Sequence, residues 1–202
     1  MSSAGYCTVC GTMLQLRRPD NDTRDRLICP GCGFIHYENP KILVGCSVTS
    51  RQRILLCQRA IEPSRGLWSP PSGFLECDES LEAGAAREVF EETGVVIDPE
   101  LLVPHIITSL LDIKQVYVSF RVDIDDCIVT PGHEALNAAF FSESEVPWEQ
   151  LAFPGMREYL KLMFNEHADE RYSLHVSRIA DAASTRRGFH LLTDRYQRHL
   201  LK

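Results

Sequence analysis

Glu88, Glu91 and Glu92 stand at i, i+3 and i+4 in the segment 73–95, GFLECDESLEAGAAREVFEETGV. On an α-helix these three carboxylates share one face. Like charges at that spacing repel by about 0.3 kcal/mol per pair in water, and by more when desolvated. A divalent cation reverses the sign. Magnesium takes carboxylate oxygens, water and substrate phosphates as ligands. The cluster therefore has the chemistry of a mount for a metal–pyrophosphate, where the ion polarises a phosphoryl oxygen, activates water and neutralises the leaving phosphate. Three helical glutamates alone read more simply as a solvated acidic face, so the surrounding residues have to decide.

A second set of spacings points to a different metal. Cys7-x2-Cys10 and Cys29-x2-Cys32 are separated by 18 residues, which is a zinc-ligand spacing. Each pair can take two corners of a tetrahedron. Four thiolates leave no open position, so the expected Zn2+ is structural and supplies folding energy to a segment with little core. Between the pairs, Arg17, Arg18, Arg24 and Arg26 interleave with Asp20, Asp22 and Asp25. The net field there is weak, which favours a solvated hairpin over a nucleic-acid contact. Cys46 and Cys57 lie in apolar runs and read as core, and Cys77 is expected on an exposed loop.

These residues must be positioned by a chain of 202 residues, 44% hydrophobic and 24% charged, with net charge -7. The composition is that of a soluble globular protein. The acidic balance argues against nucleic acid as the main partner, though not against small nucleotides bridged by cations. No apolar run approaches a membrane span, and MSSAGYCTVC is not a secretory signal. A cytoplasmic location is expected, where paired cysteines serve as thiols or ligands.

Three segments are expected: a zinc ribbon over 1–38, a catalytic domain over 39–165 and a C-terminal extension over 166–202. Lys41–Thr49, Arg53–Gln58, Val116–Val122 and Ala138–Phe141 read as strands. Pro70-Pro71-Ser72-Gly73 must be a loop. The helix carrying the glutamates is predicted over Ser80–Thr93 with Gly94 as its C-terminal cap. Its Ala83, Ala86, Val89 and Phe90 are expected to pack on a sheet, opposite the glutamates. A second amphipathic helix is expected from Gly155 to Glu166. The extension, with seven Lys and Arg residues from Arg171 to Lys202, is expected to be helical. Strands with interspersed helices imply an α/β sandwich.

Gly73, Glu79, Arg87, Glu88, Glu91, Glu92 and Gly94, with Val89 and Val95, occupy every fixed position of Gly-x5-Glu-x7-Arg-Glu-U-x-Glu-Glu-x-Gly-U, where U is aliphatic. Seven such matches in register arise by chance in roughly one window in 10^8. The chain thus resembles the Nudix hydrolases. That resemblance implies an α/β/α sandwich with a mixed sheet, Mg2+ (or Mn2+) as catalytic metal, and a pyrophosphohydrolase. It implies Glu88, Glu91 and Glu92 as metal ligands or water activators, Arg87 as their orienting partner, and Gly73 as the loop residue that approaches the metal. A further loop glutamate is often present in relatives, and Glu134 is the candidate.

With the ribbon in front, the chain is similar to the ADP-ribose/FAD pyrophosphatase group. CGFIHYENPKILVG, RAIEPSRGLWSPPSGFLE, QVYVSF and VPWEQLAFP carry that likeness. NADH pyrophosphatases carry a Ser-Gln-Pro-Trp-Pro-Phe-Pro array after the box, and nothing between Val95 and Val122 matches it. The expected substrate is a small dinucleotide, FAD or ADP-ribose, cleaved to AMP. NADH pyrophosphatase or NAD-cap RNA hydrolase activity is one alternative, and a non-catalytic nucleotide-sensing module is another. Ser72 and Pro70 depart from the usual residues beside the box glycine. Arg59, Arg65 and Tyr117 are candidates for substrate contact, and a homodimer is compatible with the family.

Overall fold

The computed structural model describes residues 5–125, 127–153, 155–169, 171–179 and the backbone of 190–191. The chain forms two compact units, Met1–Pro40 and Lys41–Lys202.

The first unit is a three-stranded antiparallel sheet of β1 (Gln15–Arg17), β2 (Arg26–Ile28) and β3 (Ile35–His36). Its small core is Cys7, Leu14 and Cys29, with Leu27 packed alongside. The two cysteine turns repeat one another. Gly11 N–H donates to the Cys7 carbonyl and Gly33 N–H to the Cys29 carbonyl, at 2.9 and 3.0 Å. Between them, Arg18 pairs with Asp25 at 3.0 Å and Arg26 with Asp22 at 2.9 Å. The charge pairing follows from the interleaving of the two signs in sequence.

The second unit is built on β4 (Lys41–Ser50), β5 (Arg53–Arg59), β6 (Trp68–Ser69), β7 (Ser72–Phe74), β8 (Val103–Leu110), β9 (Gln115–Asp123), β10 (Ala135–Phe141), β11 (His175–Ile179) and β12 (His190–Leu191). The strand order is β10-β5-β4-β9-β8-β11-β12, and the pairs β4–β9 and β8–β11 are parallel. This is the expected mixed sheet. Helix α1 (Leu81–Thr93) covers one face and α2 (Met156–Asp169) the other. Alternation sorts the core. Val44, Cys46, Val48, Leu55, Phe120 and Val122 pack with Ala85, Ala86 and Val89 of α1. Ile54, Leu56 and Ile106 pack with Tyr159, Leu160 and Met163 of α2. Among the described residues, no helix is long and apolar enough to cross a membrane.

β4 divides its second edge. Leu43–Gly45 pair with β7, whereas only Thr49 and Ser50 pair with β5. β5 instead pairs with β6 through Cys57 and Gln58. The hairpin strands diverge, and the 68–74 segment fills the gap between them.

Three expectations are corrected. Ser72–Phe74 is strand, not loop, because Pro70 and Pro71 stop short of the pairing. Phe90 is exposed, and α1 turns its Ala85–Val89–Glu92 face inward. The extension is not helical throughout. α2 ends at Asp169 and His175–Ile179 joins the sheet beside β8. The basic residues from Arg186 onward lie outside the described residues.

Beneath α2 runs a buried polar layer. Tyr159 exchanges hydrogen bonds with Ser47 and with Ser119, the latter at 2.7 Å. The Glu166 carboxylate bridges two imidazoles, accepting from His105 Nε2 and His175 Nε2 at 2.7 Å each. It also accepts from Ser173 N–H at 3.1 Å. The bridge ties β8, α2 and β11 together. Burial pushes the Glu166 carboxyl upward, but the hydrogen bonds and charges of His105 and His175 outweigh it and hold the pKa down to about 2. A carboxyl whose folded value lies below its unfolded one stabilises fully above the unfolded pKa, and the gain is lost as pH falls toward the folded value. The contribution is at most about 3 kcal/mol, reduced by solvent screening. Urea midpoints should therefore drop between pH 5 and pH 3 in the wild type, and drop less in Glu166→Gln. Parallel curves for the two proteins would remove this role.

Candidate active site

Ser80 caps α1 by accepting from Ala83 N–H at 3.1 Å, and Gly94 ends it at φ 71°, a left-handed cap that disfavours other residues. The helix packs on β4 and β7, and its Glu92 reaches toward β5. Glu92 is buried there, accepting from Ser72 N–H at 3.0 Å and from the Cys57 thiol at 3.1 Å. Cys57 is therefore more than core, and its partnership with Glu92 had no sequence signal. Desolvation raises the Glu92 pKa to about 7, against the opposing hydrogen bonds of Cys57 and Ser72.

Arg87 organises the remaining carboxylates. Its Nε and Nη2 grip both oxygens of Glu79, at 3.0 and 2.7 Å. Its Nη1 donates to Glu88 at 2.7 Å and Glu91 at 3.0 Å, and Nη2 also reaches the Phe74 carbonyl at 3.1 Å. One guanidinium thus joins the helix to the β7 loop. The hydrogen bonds to Arg87 hold Glu79 below the usual carboxylate range. Glu88 is pushed upward, first by burial, with Glu91 and Glu134 adding repulsion and Arg87 opposing. A Cβ at Gly73 would fall onto both carboxylate oxygens of Glu88. The glycine therefore lets the loop backbone approach the cluster. Arg87→Lys keeps the charge but loses the fork. Loss of an orienting partner of this kind costs about 10–100-fold in activity. Steady-state kinetics with the circular dichroism spectrum unchanged should show it, and activity within twofold of wild type would refute it.

Glu134 enters from the loop 130–135. Thr130 and Gly132 N–H donate to the carbonyls of Thr93 and Glu92, at 2.8 and 3.2 Å, which lays the loop against the end of α1. The Glu134 charge bears on Glu88. Arg59 lies over the Phe153 ring at 5.1 Å, donates to the Pro63 carbonyl, and its charge acts on Glu92. Arg65 donates to the Ala60 carbonyl at 2.8 Å and holds its own loop. Tyr117 lies on the opposite side of the sheet from α1. A Cβ at Gly45 would meet its hydroxyl at 2.7 Å. The structure thus brings Gly73, Arg87, Glu88, Glu91, Glu92 and Glu134 together, sets Arg59 near Glu92, and bonds Arg65 to its own loop.

In the first unit, all four Sγ atoms of Cys7, Cys10, Cys29 and Cys32 lie within 4.8 Å of one another. Cys7–Cys32 and Cys10–Cys29 are 3.6 and 3.4 Å apart. A tetrahedron with Zn–S bonds of 2.3 Å needs about 3.8 Å between sulfurs.

An α/β/α sandwich with such a carboxylate helix is the architecture of a hydrolase acting on phosphoanhydrides. The NUDIX domain family matches residues 40–163, and the family described as Nudix N-terminal, a zinc ribbon, matches residues 5–38. The chain belongs to the Nudix family and is a Nudix hydrolase. It is 30% identical over 119 residues to an ADP-ribose pyrophosphatase of Methanocaldococcus jannaschii, covering 58% of this chain and 69% of that one. It is 34% identical over 101 residues to the NAD-capped RNA hydrolase NudC of Stutzerimonas stutzeri, covering 49% of this chain but only 34% of that protein. A NUDIX hydrolase structure from Nitrosomonas europaea superposes with a TM-score of 0.81 at 40% identity, over 87% of this chain and 98% of that one.

Proposed function

We propose that this enzyme hydrolyses the pyrophosphate of a nucleoside diphosphate-linked compound, FAD or ADP-ribose, to AMP and a phosphorylated product. The observation that carries the reading is the convergence of Glu79, Glu88 and Glu91 on Arg87, with Glu92 inserted beside Ser72. The donors suit a hard divalent ion, because they are carboxylate oxygens and Gly73 puts no side chain before them. Glu88, Glu91 and Glu92 would hold Mg2+ (or Mn2+), which when bound polarises phosphoryl oxygen and acidifies water. The chain's own groups do the rest. Arg87 fixes the carboxylates, Arg59 would offer a cation to a phosphate, and Glu134 would take a proton from water. The four cysteines would hold Zn2+ as a closed structural site, which fits a reducing cytoplasm.

A second reading is the NAD-cap or NADH chemistry suggested by the likeness to NudC. The missing array after the box counts against it. The complete box counts against a non-catalytic sensing module. The deciding experiment is a panel of FAD, ADP-ribose and NADH with Mg2+, scored for AMP release. FAD or ADP-ribose should exceed NADH at least about tenfold in kcat/KM. No AMP from any of the three would overturn the reading.

A further inference from the structure

Three metal-ligating side chains meet on the α2 side of the sheet, on the face opposite the carboxylates of α1. His105 comes from β8, Glu166 from α2 and His175 from β11. One ligating atom from each lies within 4.8 Å of the other two. All three residues are buried, His105 completely. Both Nε2 atoms face the same carboxylate, each 2.7 Å from its own oxygen. The two rings stand nearly perpendicular, at 85°, with centroids 5.3 Å apart.

Two imidazoles bound through nitrogen to one tetrahedral ion, at about 2.05 Å each, place their centroids about 5.2 Å apart. The rings therefore already have the separation that a shared ion requires. Opening the N···O contacts from 2.7 Å to roughly 3.2 Å makes room for it. Charge points the same way. With both imidazoles neutral, the Glu166 carboxylate is buried against dipoles alone, and the Ser173 N–H adds one more. A buried charge without a counter-charge is costly. A divalent cation supplies the opposite sign. Two nitrogen donors select against Mg2+ and Ca2+, and nitrogen with carboxylate suits Zn2+.

We propose that His105, Glu166 and His175 bind a Zn2+ ion, distinct from the four-cysteine site and from the α1 carboxylates. Two ring nitrogens and both carboxylate oxygens make four donors, so the shell is closed and the ion is structural. On binding, each ring gives up its Nε2 proton, to its own Nδ1 or to solvent. Bonds to the ion then replace the two N–H···O bonds, and the hydrogen-bonded bridge is the metal-free state of the same site. The ion clamps β11 to β8 and α2. β11 lies beyond residues 40–163, the span matched by the NUDIX family, so the clamp secures a strand outside that span. His105 Nδ1 is buried with no hydrogen-bond partner among the described residues. A metal-bound imidazole usually donates through its second nitrogen, and loss of that partner costs about 10–100-fold in affinity. The site is therefore weaker than the ribbon and releases its ion under mild chelation.

The test titrates Zn2+ by calorimetry into the full chain with the ribbon filled, in excess Mg2+ to occupy the α1 carboxylates. The wild type should take up one further equivalent, and its melting temperature should rise with it. His175→Gln keeps a donor for Glu166 but loses the ring nitrogen, and Glu166→Gln removes the charge. Each should raise the Kd of that equivalent about tenfold or more and abolish the zinc-dependent rise in melting temperature, with the circular dichroism spectrum unchanged. Crystals of the wild type grown with Zn2+ give a readout that needs no variant, an anomalous peak at the zinc edge between the two rings and Glu166. Absence of a further equivalent in the wild type overturns the proposal. So does an unchanged Kd in both variants, or a peak confined to the cysteines and the α1 carboxylates. Each of these results leaves a hydrogen-bonded bridge and no metal.

Discussion

Glu92→Gln is expected to lower kcat by about 10^2–10^4-fold and leave the protein folded. The substitution keeps the shape of the side chain. A carboxamide oxygen in the same place can still accept from both Ser72 N–H and the Cys57 thiol, so neither partner of Glu92 is stranded. What is lost is a charge at the point where β5, β7 and α1 meet. That charge is held at a cost. Burial raises the Glu92 pKa to about 7 from 4.5, so the unfolded chain ionises first as pH rises. In the metal-free protein, stability is therefore undiminished at low pH and falls as pH climbs from 4.5 through 7, by at most roughly 3 kcal/mol. Glu92→Gln removes that term. With Mg2+ omitted and no chelator added, its melting temperature at pH 8 should exceed that of the wild type, and the gap should close near pH 4. Added Mg2+ should raise the wild type more than the variant. An active variant would end the assignment of Glu92 to catalysis. An inactive variant that melts earlier at pH 8 would mean that the fold, and not the chemistry, had been damaged.

Cys29→Ser, or a strong zinc chelator applied to the wild type, is expected to unfold residues 5–38. Among the described residues, the first unit has a core of three side chains, two of which are cysteines, and its strands are two or three residues long. Such a segment cannot offset its conformational entropy by burial alone. A structural zinc contributes about 10–16 kcal/mol in small zinc domains at neutral pH. The wild type should carry about one tightly held zinc per chain, and the variant close to none. Amide protection over residues 5–38 should vanish with the metal, and the four thiols should become reactive toward a disulfide reagent. Full protection in a chelated, zinc-free sample would show that the sulfur cluster folds without metal.

Both predictions rest on features readable from local sequence. The glutamate helix has its cap at Ser80, its stop at Gly94 and its carboxylates at helical spacing, and all of these are local signals. The two cysteine turns are equally local. Long-range features left no such trace. β8 escaped notice because Pro104, His105, Thr108 and Ser109 dilute its apolar pattern and a bulge breaks its register beside His105. The inward turn of α1 escaped as well. Hydrophobicity placed Phe90 against the sheet, yet Phe90 is exposed while Glu88 and Glu92 are buried. The helix turns Glu88 and Glu92 inward even though Phe90 would bury more apolar area. The cost is borne by Arg87, Ser72 and Cys57, which satisfy the carboxylates.

The sequence by itself determined the acidic helix, the spacing of its carboxylates, the four-cysteine ribbon and the family. In each case the information sits within a few turns of backbone, where spacing translates directly into geometry. Tertiary structure alone decided the rest. It placed Cys57 and Ser72 on one oxygen of Glu92, brought Glu134 to Glu88, and bonded Arg65 to the Ala60 carbonyl. It also joined His105, Glu166 and His175, which are separated by 61 and 9 residues, into the bridge that ties β11 to β8 and α2. Contacts across such separations depend on strand order and on the divergence of β5 from β4. No local spacing encodes either of these.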